Sequence, residues 1–218
     1  MKPKYLTFDC YGTLIDWKKG IEESLRASIG SLSVSGDQLM KAYLEAEKEE
    51  ESTYKSYREV LAGSALRLSG PLGVRVDREA AESFAGSVPR WPAFPDTAEA
   101  LKELGRRGYR RYILSNVDDD LLEGTIANNG LEVDGFVTAQ QVGSYKPDPG
   151  HWEEFMKRTG ARKEEMLHVA QSVFHDVVPT QELGIASAWV NRYSEPLPPG
   201  AAPAFIVDSM ETFLSVVD

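Results

Sequence analysis

Cysteine is almost missing from this 218-residue chain. Cys10 stands alone, which excludes an internal disulfide framework and any thiolate metal cluster. Long apolar runs are missing as well. The opening Met1-Lys2-Pro3-Lys4-Tyr5-Leu6-Thr7-Phe8 passes from a polar start into a short strand-like stretch, without the extended apolar region of a signal peptide or membrane anchor. The expectation is a soluble, cytoplasmic protein. Positive charge is in deficit: 24 Lys and Arg face 34 Asp and Glu, a formal net charge of −10. That balance argues against a nucleic-acid surface or an anionic membrane as partner. A small anionic substrate stays compatible with it, because one pocket can be locally positive on an acidic surface. No fixed-period repeat or low-complexity tract interrupts the chain. What is plentiful is core material, 42% hydrophobic residues, enough for one large domain or a core domain with a modest insertion. The densest charged stretch, Glu45–Glu51, includes Lys48 and reads as a solvated helix face.

Short apolar runs alternate with helix-length segments. The runs are Tyr5–Phe8, Tyr112–Leu114, Phe136–Ala139, Met166–Ala170, Ala186–Val190 and Phe205–Val207, and the pattern predicts a parallel sheet covered on both faces. Helices are expected over Thr97–Arg107, Asp119–Asn128, Gly150–Thr159, Val177–Leu183 and Met210–Val217. Gly108, Gly130, Gly160 and Gly184 follow four of them as stop signals. From about Asp16 to Arg90 the alternation gives way to an almost wholly helical pattern, so the expected division is an α/β core over 1–15 and 91–218 with a helical cap inserted over 16–90. The Pro-rich return Val88–Pro95 closes the insertion. Ligands of open α/β sheets bind beyond the carboxyl ends of the strands, and a cap inserted straight after the first strand belongs over that end. Leu44, Tyr54, Tyr57, Val60 and Leu61 read chiefly as packing within the cap.

Four segments carry candidate chemistry. Phe8-Asp9-Cys10-Tyr11-Gly12-Thr13-Leu14 places a carboxylate at the end of the first strand before a glycine turn, where backbone N–H groups can bind an anion and orient a nucleophile. Read alone, Asp followed by Gly-Thr is equally ordinary turn chemistry. Ser115-Asn116 closes the second core strand with a hydroxyl and an amide, which suit either a substrate carboxylate or a cap for the helix near Asp119. Lys146 is pinned before Pro147 between a strand and a helix, a fixed cation able to keep Asp9 ionised. The run from His168 through Gln171, Ser172 and His175 to Asp176 leads a strand into polar groups and a second acid, for which the bland reading is a helix N-terminal acid. Cys10 should point away from Asp9 along the strand and behave as a small buried hydrophobe.

In this order, each at a strand end, the four segments resemble the sequence motifs of the haloacid dehalogenase-like hydrolase superfamily. The resemblance implies a Rossmann-like parallel sheet with an inserted α-helical cap and an aspartyl-ester intermediate. It makes Asp9 the nucleophile and Lys146 the fixed cation. Thr13 and Ser115 hold the carboxylate or the substrate, and Asp176 helps activate the hydrolytic water. Cys10 and Tyr11 offer backbone donors, and Asn116 matches a halide contact. Trp17, Gln171, Ser172 and His175 join the substrate-binding set, His175 either relaying a proton or packing beside Asp176.

Departures select a branch. Phosphatases of the superfamily carry a second aspartate where Tyr11 stands, and a magnesium-binding Gly-Asp where this chain has Ala170-Gln171. Asp-x-Tyr-Gly-Thr-Leu is similar to the 2-haloacid dehalogenases, which act at carbon without a metal. The expectations are therefore no metal or cofactor, a small carboxylate substrate, and a monomer or homodimer. Asp16-Trp17, Gln171-Ser172 and His175-Asp176 are similar to a subgroup that includes azetidine-2-carboxylate hydrolase-like and fluoroacid-active proteins. Val173 stands for a family asparagine and Trp152 for a family tyrosine, and the halide-cradle arginine of the cap has no assignable counterpart. Competing readings are a phosphatase, a ring-opening hydrolase, and a catalytically silent binding protein.

Overall fold

The computed structural model describes residues 2–30 and 33–217. In chain order the first elements are β1 (Tyr5–Phe8), α1 (Trp17–Ile29), α2 (Gly36–Glu50), α3 (Tyr57–Arg67), α4 (Ser69–Leu72), α5 (Arg78–Ala85), α6 (Thr97–Arg106), β2 (Arg110–Ser115) and α7 (Asp119–Asn129). After them come β3 (Gly135–Thr138), α8 (Ala139–Val142), α9 (Gly150–Thr159), β4 (Met166–Ala170), α10 (Val178–Leu183), β5 (Ala186–Val190), β6 (Phe205–Val207) and α11 (Met210–Val216). No helix among the described residues is long and apolar enough to cross a membrane.

The chain divides into two compact units. The first, comprising 1–16, 93–116 and 129–218, holds a six-stranded sheet in the order β3-β2-β1-β4-β5-β6. Every strand pair is parallel. Strand β4 is buried at all five positions, as a parallel strand covered on both faces requires. Tyr5, Leu114, Val137, Trp152, Phe155 and Met166 form a core cluster between the sheet and α9. Because the chain leaves β1 for β2 on one side and later returns to β4 on the other, the order reverses at β1, and the carboxyl ends of β1 and β4 flank a crevice. The expected stop signals hold: Gly108, Gly130, Gly160 and Gly184 all have φ between 60° and 87°, which only glycine adopts without strain.

Several boundaries in this unit shift from expectation by one or two residues, and two of the shifts have a visible cause. Strand β2 begins at Arg110, because Arg111 N–H and guanidinium both engage Asp134 and polar residues thereby join the strand. The helix expected from Val177 opens with a π-helical turn, Val173–Val177, before α10.

The second unit contains 17–92 and 117–128. The segment Val117–Asn128, expected in the α/β core, belongs here instead. Its anchor is Asp118, whose two carboxylate oxygens accept the Tyr57 and Arg58 N–H groups at 2.9 Å each, capping α3 from across the sequence. Thr125 Oγ1 donates to Val88 O, and Pro89 lies against Gly124. Tyr43 and Phe84 pack edge to face at 5.7 Å, with Trp91 beside Phe84. A Cβ on Gly20 would sit 2.3 Å from Trp91 Cγ, so α1 needs glycine where that indole crosses it. Tyr57, Val60 and Leu61 are buried as packing, whereas Leu44 and Tyr54 are exposed. The Glu45–Glu51 stretch departs from a simple solvated face, since Glu47 Oε1 accepts the hydroxyls of Tyr43 at 2.8 Å and Tyr57 at 3.0 Å. Trp17 opens α1 in this unit, with Lys18 Nζ 6.0 Å from its ring centroid.

Candidate active site

In the first unit a cluster of buried charged and polar side chains, Asp9, Thr13, Ser115, Lys146 and Asp176, lies beyond the carboxyl ends of β1, β2 and β4. Asp9 follows β1 and donates its backbone N–H to Val169 O of β4 at 3.1 Å. The chain then turns tightly: Leu14 and Ile15 N–H both return to Cys10 O, and Gly12 takes a φ of 101°. That turn brings Thr13 back to donate its hydroxyl to Asp9 Oδ2 at 2.8 Å, while Thr13 Oγ1 accepts Gln171 N–H at 2.9 Å. Arg192, beyond β5, fixes the same loop. Its guanidinium donates twice to Thr13 O, pairs with Asp96, and lies 4.0 Å from the Phe94 ring centroid.

Lys146 occupies the centre. Its ammonium donates to Asp9 Oδ1 at 2.9 Å, Asp176 Oδ1 at 2.7 Å and Leu114 O at 3.0 Å, using its three hydrogens. Asn116 secures the lysine backbone at both ends, its Oδ1 accepting Lys146 N–H at 2.7 Å and its Nδ2 donating to Lys146 O at 3.0 Å. The amide read from sequence as a substrate contact is thus first a clamp on the cation, with one N–H beyond that clamp. Ser115 and Asn116 do not cap the following helix. Ser115 Oγ is buried with no partner among the described residues.

Burial alone would lower the lysine pKa, but Asp176 and Asp9 outweigh it and raise it above the ordinary value. Burial likewise pushes the Asp176 carboxyl up, yet the Lys146 charge and the His168 hydrogen bond prevail and hold it well below the usual carboxylate range. Asp176 lies within the π-helical turn, not at a regular helix N-terminus, and is fully buried. Its Oδ1 receives Lys146 and His168, while Oδ2 has no partner among the described residues.

Other expected contacts fall elsewhere. The Gln171 side chain turns to Glu195, Nε2 to Oε2 at 3.1 Å, and Ser172 caps the π-helical turn by accepting His175 N–H. Both side chains therefore act on the protein itself. His175 Nδ1 lies 3.1 Å from Ser172 Oγ, and burial lowers its pKa, so it is a neutral imidazole beside Asp176. Cys10 is wholly buried, and burial followed by the Asp9 charge keeps its thiol protonated, which leaves only its backbone for the site. Tyr11 is half-buried and bridges to Ile15. Trp152, which stands for the family tyrosine, is enclosed in the core with its ring edge to face against His168 at 5.3 Å.

Sequence reasoning missed His168, Thr7, His151 and Arg192. His151 Nε2 meets Ser115 O at 3.1 Å, and burial followed by the Lys146 charge lowers its pKa to about 3, making it neutral. A histidine inside an apolar strand reads as core, and only the register, Thr7 opposite His168, reveals the polar line. A buried carboxylate with a fixed cation, a hydroxyl donor and a second carboxylate beside it is an arrangement suited to nucleophilic catalysis.

Comparison with known proteins identifies the family. A family model described as haloacid dehalogenase-like hydrolase matches residues 3–177. The chain belongs to that family. It is a hydrolase on the 2-haloacid dehalogenase-like branch. It is 25% identical over 224 residues to haloacetate dehalogenase H-2 of Moraxella sp. (strain B), covering 99% of this chain and 98% of that one. It is 27% identical over 200 residues to the (S)-2-haloacid dehalogenase of Xanthobacter autotrophicus, covering 88% of this chain and 76% of the relative. The fold matches the solved L-2-haloacid dehalogenase of Xanthobacter autotrophicus with chloropropionic acid covalently bound, at TM-score 0.87, 23% identity and 99% and 98% coverage.

Proposed function

We propose that this hydrolase removes halide from a small 2-haloacid through an ester on Asp9. The observation that carries the reading is the Asp9 carboxylate itself, held by Lys146 on one oxygen and Thr13 on the other, with Asp176 on the same ammonium. In the first half-reaction Asp9 attacks the carbon bearing the halogen. The carbon–oxygen bond forms as the carbon–halogen bond breaks, and the electron pair leaves as halide. In the second, water adds to the Asp9 carbonyl carbon and gives a proton toward Asp176 Oδ2. The tetrahedral intermediate collapses by breaking its bond to the alkoxide oxygen of the 2-hydroxy acid, which takes the proton held by Asp176, and the second proton of the water leaves the regenerated Asp9 carboxyl for solvent. Backbone N–H groups near Cys10 and Tyr11 are the candidate oxyanion donors, a contribution of about 3–4 kcal/mol each in other acyl chemistry. Ser115 Oγ and the second Asn116 N–H are the candidate groups for the substrate carboxylate or the leaving halide.

Similarity to the Moraxella haloacetate dehalogenase and the Xanthobacter (S)-2-haloacid dehalogenase supports this substrate class over a phosphate ester. So do Tyr11, which supplies no carboxylic acid to an alcohol leaving group, and Gln171, a neutral amide already paired with Glu195. The test is halide release from a panel of 2-haloacids, fluoroacetate included, with excess chelator, beside phosphate release from p-nitrophenyl phosphate with magnesium. Halide release that survives the chelator supports the proposal. Strong magnesium-dependent phosphate release with no halide release overturns it.

A further inference from the structure

Behind Asp176 runs a second line of groups. Thr7 and His168 are register partners on β1 and β4, and both are wholly buried with Asp176. Thr7 Oγ1 lies 2.8 Å from His168 Nδ1, and His168 Nε2 lies 2.9 Å from Asp176 Oδ1. A carboxylate only accepts, so Nε2 carries the proton, and Nδ1 accepts from the Thr7 hydroxyl. Asp176 thereby sets the tautomer, and the Thr7 bond to Nδ1 holds the ring in the orientation that reaches Asp176.

This arrangement has a consequence for the orientation of Asp176. Lys146 alone could be satisfied by either carboxylate oxygen. A second donor mounted on β4 holds Oδ1 and leaves Oδ2 buried without a partner among the described residues. Once Asp9 is esterified its negative charge is gone, and Asp176 becomes the only carboxylate drawing on the Lys146 ammonium. Without His168 the Asp176 carboxylate is free to close on that ammonium with both oxygens, and no oxygen remains to take the water. The attack by Asp9 involves Lys146 and Thr13, whose hydrogen bonds to Asp9 do not pass through His168.

We infer that His168, held by Thr7, is a positioning residue for Asp176 that serves ester hydrolysis and not ester formation. The inference rests on the aspartyl-ester reading above. A histidine that merely fills the core would affect both half-reactions through stability. The experiment separates the two by following halide release from chloroacetate in the first turnover and at steady state, with intact-protein mass spectrometry and thermal melting alongside. His168→Leu is expected to release its first halide at close to the wild-type rate, then to turn over about 10–100-fold more slowly with the ester accumulating. His168→Gln keeps an N–H donor at the same reach and is expected to recover most of that loss. Thr7→Val removes only the hydroxyl, is expected to slow ester hydrolysis in the same sense, and carries the test alone should His168→Leu fail to fold. Steady-state turnover unchanged in the folded variants, or first-turnover and steady-state rates falling together without recovery by His168→Gln, overturns the role. Wild-type protein that alkylates normally while a variant hydrolyses its ester at the wild-type rate removes the positioning role alone. Wild-type protein that forms no ester and releases no halide removes the ester reading and this inference with it.

Discussion

Replacing Lys146 with methionine keeps the length of the side chain and removes the charge between two buried carboxylates. At 2.9 and 2.7 Å, each ammonium–carboxylate attraction is about 6 kcal/mol gross for an effective dielectric near 20. Desolvation of three charges offsets most of that, but deleting one member leaves the other charges uncompensated, and such deletions cost about 3–5 kcal/mol. Leu114 O also loses its donor. The pH dependence identifies the cause. In the wild type, Asp176 titrates below and Lys146 above their ordinary values, so the stability from this cluster is lost only as pH falls through the depressed value or rises through the elevated one. In Lys146→Met the two carboxylates compete for a proton, and the folded state binds it more tightly than the unfolded chain. Stability is then greatest below the ordinary carboxylate pKa and falls as pH rises through the elevated folded value. The assay is urea denaturation of wild type and variant at pH 5 and pH 8. The expected deficit is about 3–5 kcal/mol at pH 8 and roughly half that at pH 5, and adding Asp9→Asn should return part of it. A deficit under about 1 kcal/mol at pH 8, or an equal deficit at both pH values, would refute the reasoning.

Three more outcomes are expected. Asp9→Asn should abolish halide release while retaining the wild-type circular dichroism spectrum, and a single wild-type turnover in heavy-oxygen water should place the label in Asp9; label found only in the product would mean direct attack by water. Glu51 is raised to about 8 by burial and then by the Glu47 charge, so the stability it contributes is present below the ordinary carboxylate value and is lost as pH rises from there through about 8. Glu51→Gln should therefore lose less melting temperature than wild type between pH 5 and pH 9, and parallel melting curves would exclude that assignment.

The sheet was legible because its strands are short apolar runs and its helices end in glycines of positive φ. Both are local signals. The charged centre was legible for a related reason: Asp9, Lys146 and Asp176 each lie just past a strand or inside a constrained loop, where the fold class already points to a crevice. What stayed hidden depends on partners far apart in sequence. Asp118 looks like one more surface acid until it is seen capping α3, 60 residues away. Arg192 lies 179 residues from the Thr13 carbonyl it holds. His168 sits inside an apolar strand, and nothing in the spacing says that its ring bonds Asp176 and not the core. Val173–Val177 is a π-helical turn because one extra residue is accommodated there, and hydrophobic periodicity does not register an insertion of that size.

Charge also bears on which chemistry this version of the scaffold favours. Asp9 and Asp176 bring two negative charges to one ammonium. A phosphate monoester adds about two more, and in a buried setting the sum needs additional positive charge and an acid for the departing alcohol. Gln171 contributes a neutral amide that is already paired, and Tyr11 contributes no carboxylic acid. A 2-haloacid adds a single negative charge. In the proposed mechanism its reaction with Asp9 neutralises one carboxylate in the same step that releases halide, so the number of negative charges does not rise. Lys146 then faces Asp176 across a neutral ester, and the carboxylate needed for the water step is held ionised. On the proposed mechanism one fixed cation serves displacement at carbon, whereas a phosphoryl group would call for further positive charge, which makes residues 11 and 171 the positions that distinguish the two chemistries.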